Sequence, residues 1–312
     1  MAMTLGYRRP LYLLAFDHRG SFERDLFGAR PPIPPAVRDG IVDAKNIIYE
    51  GFTRAVDHGA PPDAAGVLVD EAFGTEVATA AQAAGHLLAM PVEKSGQAEF
   101  DFEYGSEFGA HIERFDPTFS KVLVRYNPEG DQQVNARQND RLAQLTRWLH
   151  DSGRTFLFEL LVPPTDDQLA RCDDSHEWFD RELRPSLVVA TIRALQEAGV
   201  EPDIWKIEGL ETHDDCARVV EQARSGDRDD VSCVVLGRGA DEAKVREWIR
   251  IAAGVPGFIG FAVGRTLWED PLRAWLAATV TADQAAATIA DRYRELIDLA
   301  VTTSGVMAGV RP

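Results

Sequence analysis

Pro202-Asp203-Ile204-Trp205-Lys206-Ile207-Glu208-Gly209 is a short apolar run with a lysine at its centre. It follows a helix-like stretch that ends at Gly199, and its length and bounding residues read as one buried strand. Alternation places Ile204, Lys206 and Glu208 on one face, with Trp205 and Ile207 on the other. An unpaired ammonium loses its hydration inside a sheet, so a lysine here needs a reason. The chain has five lysines (Lys45, Lys94, Lys121, Lys206 and Lys244) against 28 arginines, so this one is not composition noise. Arginine cannot form an imine and lysine can. Taken alone, Lys206 reads as an ion-pair partner of Glu208 or of another acid near a strand end. The rest of the chain turns the reading toward chemistry.

Outward from this strand, the same pattern recurs. Apolar runs at 11–16, 65–69, 86–92, 119–124, 155–162, 231–236 and 258–263 read as strands. Helical spacing marks 37–58, 75–84, 132–150, 186–198, 214–223 and 242–252, with further helices from 266 and from 281. An aromatic and acidic segment at 97–115 has helical character near its end. Eight near-continuous apolar strands alternating with helices predict a closed parallel (β/α)8 TIM barrel, one domain over residues 1–312. The alternative is an open doubly wound sheet. Its dinucleotide fingerprint is missing, since the run from Gly237 to Glu242 lacks the third glycine. There is no Walker-type loop.

Composition narrows the partners. The net charge of -17, from 33 basic and 50 acidic residues, argues against nucleic acid or an anionic membrane surface. The apolar share of 45% and charged share of 27% are those of a soluble globular protein. Cys172, Cys216 and Cys233 are odd in number and without CxxC spacing, which predicts a reduced, cytoplasmic protein. The run at 11–16 is too short for a signal core, and nothing approaches the ~20 apolar residues of a membrane span. The sequence leaves room for a homo-oligomer.

In a barrel of this kind the chemistry sits at the C-terminal strand ends. Every predicted strand brings a polar residue there: Asp17, His18 and Arg19; Asp70 and Glu71; Glu93 and Lys94; Lys121 and Arg125; Glu159; Lys206 and Glu208; Arg238; Arg265. Charge pairs near a barrel mouth can also be purely architectural. Gly237-Arg238-Gly239 and Gly264-Arg265 follow the last two strands, where barrels often bind phosphate through backbone N–H groups and a helix N-terminus. Glycine permits the close approach, and arginine adds bidentate charge. Of the seven histidines only His18 falls on a strand end, which argues against zinc. Asp17, Asp70 and Glu71 could together hold magnesium. Without a metal, the available electrophile is a lysine imine.

Together, several motifs resemble a known family. Phe16-Asp17-His18-Arg19-Gly20, Leu68-Val69-Asp70-Glu71, Glu93-Lys94-Ser95-Gly96, the run from Lys121 to Pro128, Phe158-Glu159, the run from Asp203 to Glu208, and Gly264-Arg265 are similar to the superfamily of tagatose-bisphosphate and sulfofructose-phosphate aldolases, class I imine-forming barrels. More narrowly, KVLVRYNPEGD, PDIWKIEG and GRTLWEDPL resemble the 5-dehydro-2-deoxyphosphogluconate aldolase domain often fused behind 5-dehydro-2-deoxygluconokinase in inositol catabolism. The resemblance covers about Leu11 to Leu276. It implies an imine at Lys206, with Asp17, Lys121 and Glu159 as the accompanying catalytic groups, and no cofactor or metal. His18 stands where sugar-bisphosphate members often carry Gln, and Gly237-Arg238-Gly239 replaces a Ser-Ala-Gly-like turn.

The activity this implies is cleavage of a phosphorylated keto acid, 5-dehydro-2-deoxygluconate 6-phosphate, to dihydroxyacetone phosphate and malonate semialdehyde. Glu159 or Asp17 would be the general base. Arg238 and Arg265, with Gly237, Gly239 and Gly264, would hold the phosphate, and Arg19 or Arg125 the carboxylate. Two other readings stay open: a tagatose- or fructose-type sugar-phosphate aldolase, and a non-catalytic barrel that binds a sugar phosphate.

Overall fold

Eight strands pair in sequence order, each parallel to its neighbours, and the eighth closes on the first. The computed structural model describes residues 5–309. The strands are β1 (Leu11–Ala15), β2 (Ala65–Leu68), β3 (Leu87–Pro91), β4 (Phe119–Arg125), β5 (Thr155–Leu161), β6 (Ile204–Glu208), β7 (Ser232–Leu236) and β8 (Phe258–Val263). The helices are α1 (Gly20–Phe27), α2 (Pro35–Asp57), α3 (Glu71–Ala83), α4 (Phe108–Phe115), α5 (Gln132–Asp151), α6 (Asp166–Ala170), α7 (His176–Trp178), α8 (Arg184–Glu197), α9 (His213–Ala223), α10 (Glu242–Ala253), α11 (Arg265–Leu276) and α12 (Ala282–Gly309). The closed (β/α)8 barrel expected from the strand pattern is the fold observed.

Period-two alternation divides each strand between two cores. Inward, Leu13, Leu68, Phe119, Leu157, Ile204 and Val234 fill the lower barrel. Outward, Phe156, Phe158, Trp205 and Val235 pack beneath the helices. Further along four of the inward columns the chemistry changes. Leu13 and Ala15 lead to Asp17, Phe119 to Lys121, Leu157 to Glu159 and Ile204 to Lys206. A layer of charge therefore stands on an apolar plug, at the C-terminal ends of the strands.

Helix starts follow their caps. The Asp131 side chain accepts from the N–H groups of Gln133 and Val134, and that of Asp241 from Lys244. α3 begins four residues before the expected position 75, because Asp70 accepts from the Phe73 N–H and turns Glu71 into the first helical residue. α1 occupies a stretch to which sequence periodicity assigns no element; Gly28, at φ 63°, ends it in the left-handed region.

Two excursions rise over the mouth. In the first, residues 97–115 lie back on the end of β3, with Lys94 N–H donating to Asp101 O and Glu103 N–H to Val92 O. The second runs from Pro163 to Leu183 and carries α6, α7 and a π-helical turn at Phe179–Leu183. The end of the chain fastens its beginning. Trp268 Nε1 donates to Ala15 O at 2.9 Å, and the Tyr293 hydroxyl to Tyr12 O at 2.6 Å. No helix among the described residues is long and apolar enough to cross a membrane.

Candidate active site

The charged layer converges on two ammonium groups. Lys121 Nζ lies 2.8 Å from Asp17 Oδ2, 2.8 Å from Glu93 Oε1 and 3.0 Å from Glu159 Oε2. Lys206 Nζ lies 3.0 Å from the same Glu159 oxygen. Sheet register explains the sharing, since Glu159 pairs with Lys206 across β5 and β6 while β4 lies on its other side. Lys206 is therefore partnered across the sheet by Glu159. Glu208, the same-strand acid considered from sequence, accepts instead from Val162 N–H at 3.0 Å and from Arg238.

Asp17, Glu93, Lys121, Glu159 and Lys206 are all buried, Lys206 to 2% exposure. Burial, the largest single influence, would raise the carboxyl of Asp17, but Lys121, His18 and Lys206 together outweigh it and hold it well below the usual aspartate range. Glu159 moves the same way, its burial outweighed by Lys121 and then Lys206. For Glu93 burial wins over Lys121 and Arg19, and its carboxyl is raised. Lys121, amid three carboxylates, is raised despite burial and stays a cation. His18 is pushed down to about 4, mainly by burial. Its buried Nδ1 has no hydrogen-bond partner among the described residues.

Above this layer opens a cavity of about 1220 Å³. The expected binding residues reach its wall but differ in how free they are. Arg265 makes no ion pair among the described residues, its Nη2 lying only 3.4 Å from Arg238 O. Gly239, at φ 73°, makes room for it, since a Cβ there would fall 2.2 Å from that nitrogen. A Cβ on Gly264 would fall 2.1 Å from Ala15 O, so glycine is what lets α11 start this close to β1. Gly237 lines the same wall.

Arg238 is engaged by Asp180 at 2.5 Å and Glu208 at 2.9 Å. Arg19 is held by Glu103 at 2.8 Å and by the Glu93 carbonyl at 2.9 Å. Arg125 is exposed and donates to Gln97 O at 3.0 Å. The acids Asp17, Asp70 and Glu71, grouped from sequence as a magnesium set, are separated: Asp17 is on Lys121, Asp70 on Lys45, and Glu71 on His111 and Arg114. Among the described residues no group of three or more His, Cys, Asp or Glu is arranged to hold a metal ion.

Glu93 is the site residue to which sequence reasoning gave no role. Its alternation after Ala89 and Pro91 was a usable signal. Glu103 and Asp180, which hold Arg19 and Arg238, come from the two excursions, where no periodicity announces direction.

A (β/α)8 barrel with lysines and carboxylates gathered at its C-terminal mouth is the class that fold and site define. Within that class, the chain belongs to the family described as "Uncharacterized protein conserved in bacteria (DUF2090)", whose model matches residues 6–303. No curated protein sequence matches the chain closely enough to count as a relative. Among solved structures, fructose-bisphosphate aldolase from Plasmodium falciparum, in a ternary co-crystal with TRAP and a small-molecule inhibitor, superposes with a TM-score of 0.63. The match covers 97% of this chain and 93% of that one at 12% sequence identity, a likeness of fold.

Proposed function

We propose that the protein is a class I aldolase that cleaves a phosphorylated keto acid through an imine on Lys206. The observation that carries this reading is the buried Lys206 ammonium at the barrel mouth, 3.0 Å from a carboxylate that also contacts Lys121. The Lys206 amine adds to the substrate ketone, water leaves, and the protonated imine becomes an electron sink. An ionised carboxylate then takes the proton of the hydroxyl two carbons away. The carbon–carbon bond breaks, an aldehyde departs, and the enamine left on Lys206 is protonated and hydrolysed. Glu159 and Asp17 are both held ionised by Lys121, as a base requires. Glu159 also reaches Lys206, which favours it for moving protons at the imine nitrogen.

The resemblance of the motifs supports 5-dehydro-2-deoxygluconate 6-phosphate as substrate, in inositol breakdown, with dihydroxyacetone phosphate and malonate semialdehyde as products. Arg265 at the start of α11 supports a phosphate there. The chemistry requires no metal or cofactor. A second reading is a tagatose- or fructose-type sugar bisphosphate, which the cavity of about 1220 Å³ also admits, and product analysis separates the two.

The test is borohydride reduction in the presence of dihydroxyacetone phosphate, followed by peptide mass mapping. Adduct mass on Lys206 is expected. Adduct on Lys121 or Lys94 would move the nucleophile, and no adduct would remove the imine mechanism.

A further inference from the structure

Lys45 lies on α2, outside the barrel, and its side chain is wholly buried. Its three ammonium protons have three acceptors: Phe16 O at 2.7 Å, His18 O at 3.2 Å and Asp70 Oδ1. The ring of Phe22 lies 5.2 Å from the nitrogen and seals it from water. Burying a cation needs full compensation, and all three ammonium protons find an acceptor. Here two of the three bonds go to carbonyls on either side of one residue, Asp17. The peptide units that precede Asp17 and follow His18 are both fastened to a single atom. Asp70 extends the hold, because its second oxygen caps α3 through Phe73 N–H at 3.0 Å.

We infer that Lys45 is a positioning residue for Asp17. It fixes the main chain on both sides so that the carboxylate, just past the end of β1, meets the Lys121 ammonium. The last ladder bond along β1 is from Phe16 N–H to Leu68 O at 2.8 Å, and beyond it a small displacement moves the carboxylate out of reach. Lys45 does this from behind the barrel, without touching the cavity.

The kinetic part of the test rests on the aldolase reading, and the exchange part does not. Lys45→Met, Asp17→Asn and the double variant are compared. Lys45→Met should lower kcat roughly 10- to 100-fold, with KM and the yield of borohydride adduct on Lys206 changed by less than about threefold. In the Asp17→Asn background the same change should cost less than about twofold, because the residue it acts through is already disabled. Amide hydrogen exchange at residues 16–21 should quicken in Lys45→Met while β6 keeps its protection.

Losses that multiply independently, or a loss confined to KM, would overturn the assignment. Should Lys45→Met not fold, Asp70→Asn keeps both carbonyl bonds and weakens the third. Its kcat loss must likewise vanish in the Asp17→Asn background, and persistence there overturns the inference. If the parent forms no adduct, the aldolase reading falls and exchange decides alone. Unchanged exchange at 16–21 would then dismiss Lys45 as a positioning residue.

Discussion

Lys121 Nζ and Lys206 Nζ share one acceptor, each lying 3.0 Å from Oε2 of Glu159. The two lysines are not equivalent. Lys121 has Asp17 and Glu93 as well, whereas among the described residues Lys206 has no other carboxylate within ion-pair reach. Lys121 is thus locked among three carboxylates, while Lys206 has Glu159 alone among the described residues.

Glu159→Gln should therefore act on chemistry more than on folding. Lys121 retains two carboxylates, but Lys206 keeps only the amide oxygen as a partner, so the thermal midpoint should fall modestly. Turnover should fall by roughly 10²- to 10⁴-fold, the usual worth of a positioned acid–base group. Steady-state kinetics beside a melting curve checks both. Turnover close to the parent's would give the base role to Asp17.

Lys206→Arg keeps the charge and nearly the length but removes the nucleophile. An ion-pair role toward Glu159 predicts an active variant. An imine role predicts turnover lower by at least roughly 10³-fold, since binding and orientation survive without an electron sink. The variant should also take no borohydride adduct at position 206.

Arg265 and Arg238 should part company. Arg265 has no acid partner among the described residues, so Arg265→Ala should weaken phosphorylated ligands by about tenfold to a hundredfold, the worth of a charged hydrogen bond. Arg238 already satisfies Asp180 and the buried Glu208. Arg238→Ala should appear mainly as lost stability, on the order of 1–3 kcal/mol, because Glu208 is left without that partner. Isothermal titration with dihydroxyacetone phosphate and urea unfolding separate the two effects.

Acid stability follows from opposite shifts in one cluster. Asp17 and Glu159 are lowered in the fold, so the stability they contribute is present above the ordinary carboxylate range, ~4, and is lost as pH falls from there through their folded values. Glu93 is raised, so its contribution is present below ~4.3 and is lost as pH climbs through its folded value. Asp17→Asn should show a smaller drop in urea midpoint than the parent between pH ~6 and ~3. Glu93→Gln should unfold later than the parent at pH ~7 and no later at pH ~3.

His18 is pushed down to about 4 by burial, with Arg265 adding to the effect and Asp17 opposing it. The ring is neutral at neutral pH. His18→Gln should thus leave the shape of log kcat against pH unchanged from ~5.5 to ~8, the interval where an ordinary histidine titrates. A limb that disappears from this interval in the variant would return a protonic role to His18.

The barrel was legible because an apolar strand buried on both faces and an amphipathic helix leave different periodicities, and this chain repeats both without interruption. Lys206, Glu159, Lys121 and Asp17 were legible for the same reason, since alternation points all four inward. The partner of Lys206 was not. On one strand Glu208 stands two residues away, about 6.6 Å along the chain, while a neighbouring strand lies about 4.8 Å off. Choosing Glu159 requires the register, which no single strand contains. Lys45 was invisible for a further reason: nothing in helical spacing shows that a buried helix position will find two carbonyls at a strand end. Arg19 and Arg238 were read as ligand-binding cations, and their partners Glu103 and Asp180 went unseen because these acids lie in excursions without a repeating pattern.

The hydroxyl of Tyr293 closes on the carbonyl of Tyr12, 281 residues earlier. During translation at ~5–20 residues per second, the first strand leaves the ribosome roughly a quarter of a minute to a minute before that partner exists. The segment bearing Asp17 is thus made well before the helix that encloses it. For most of that interval β1 lacks its β8 neighbour, so the growing chain carries a bare apolar edge until the eighth strand arrives.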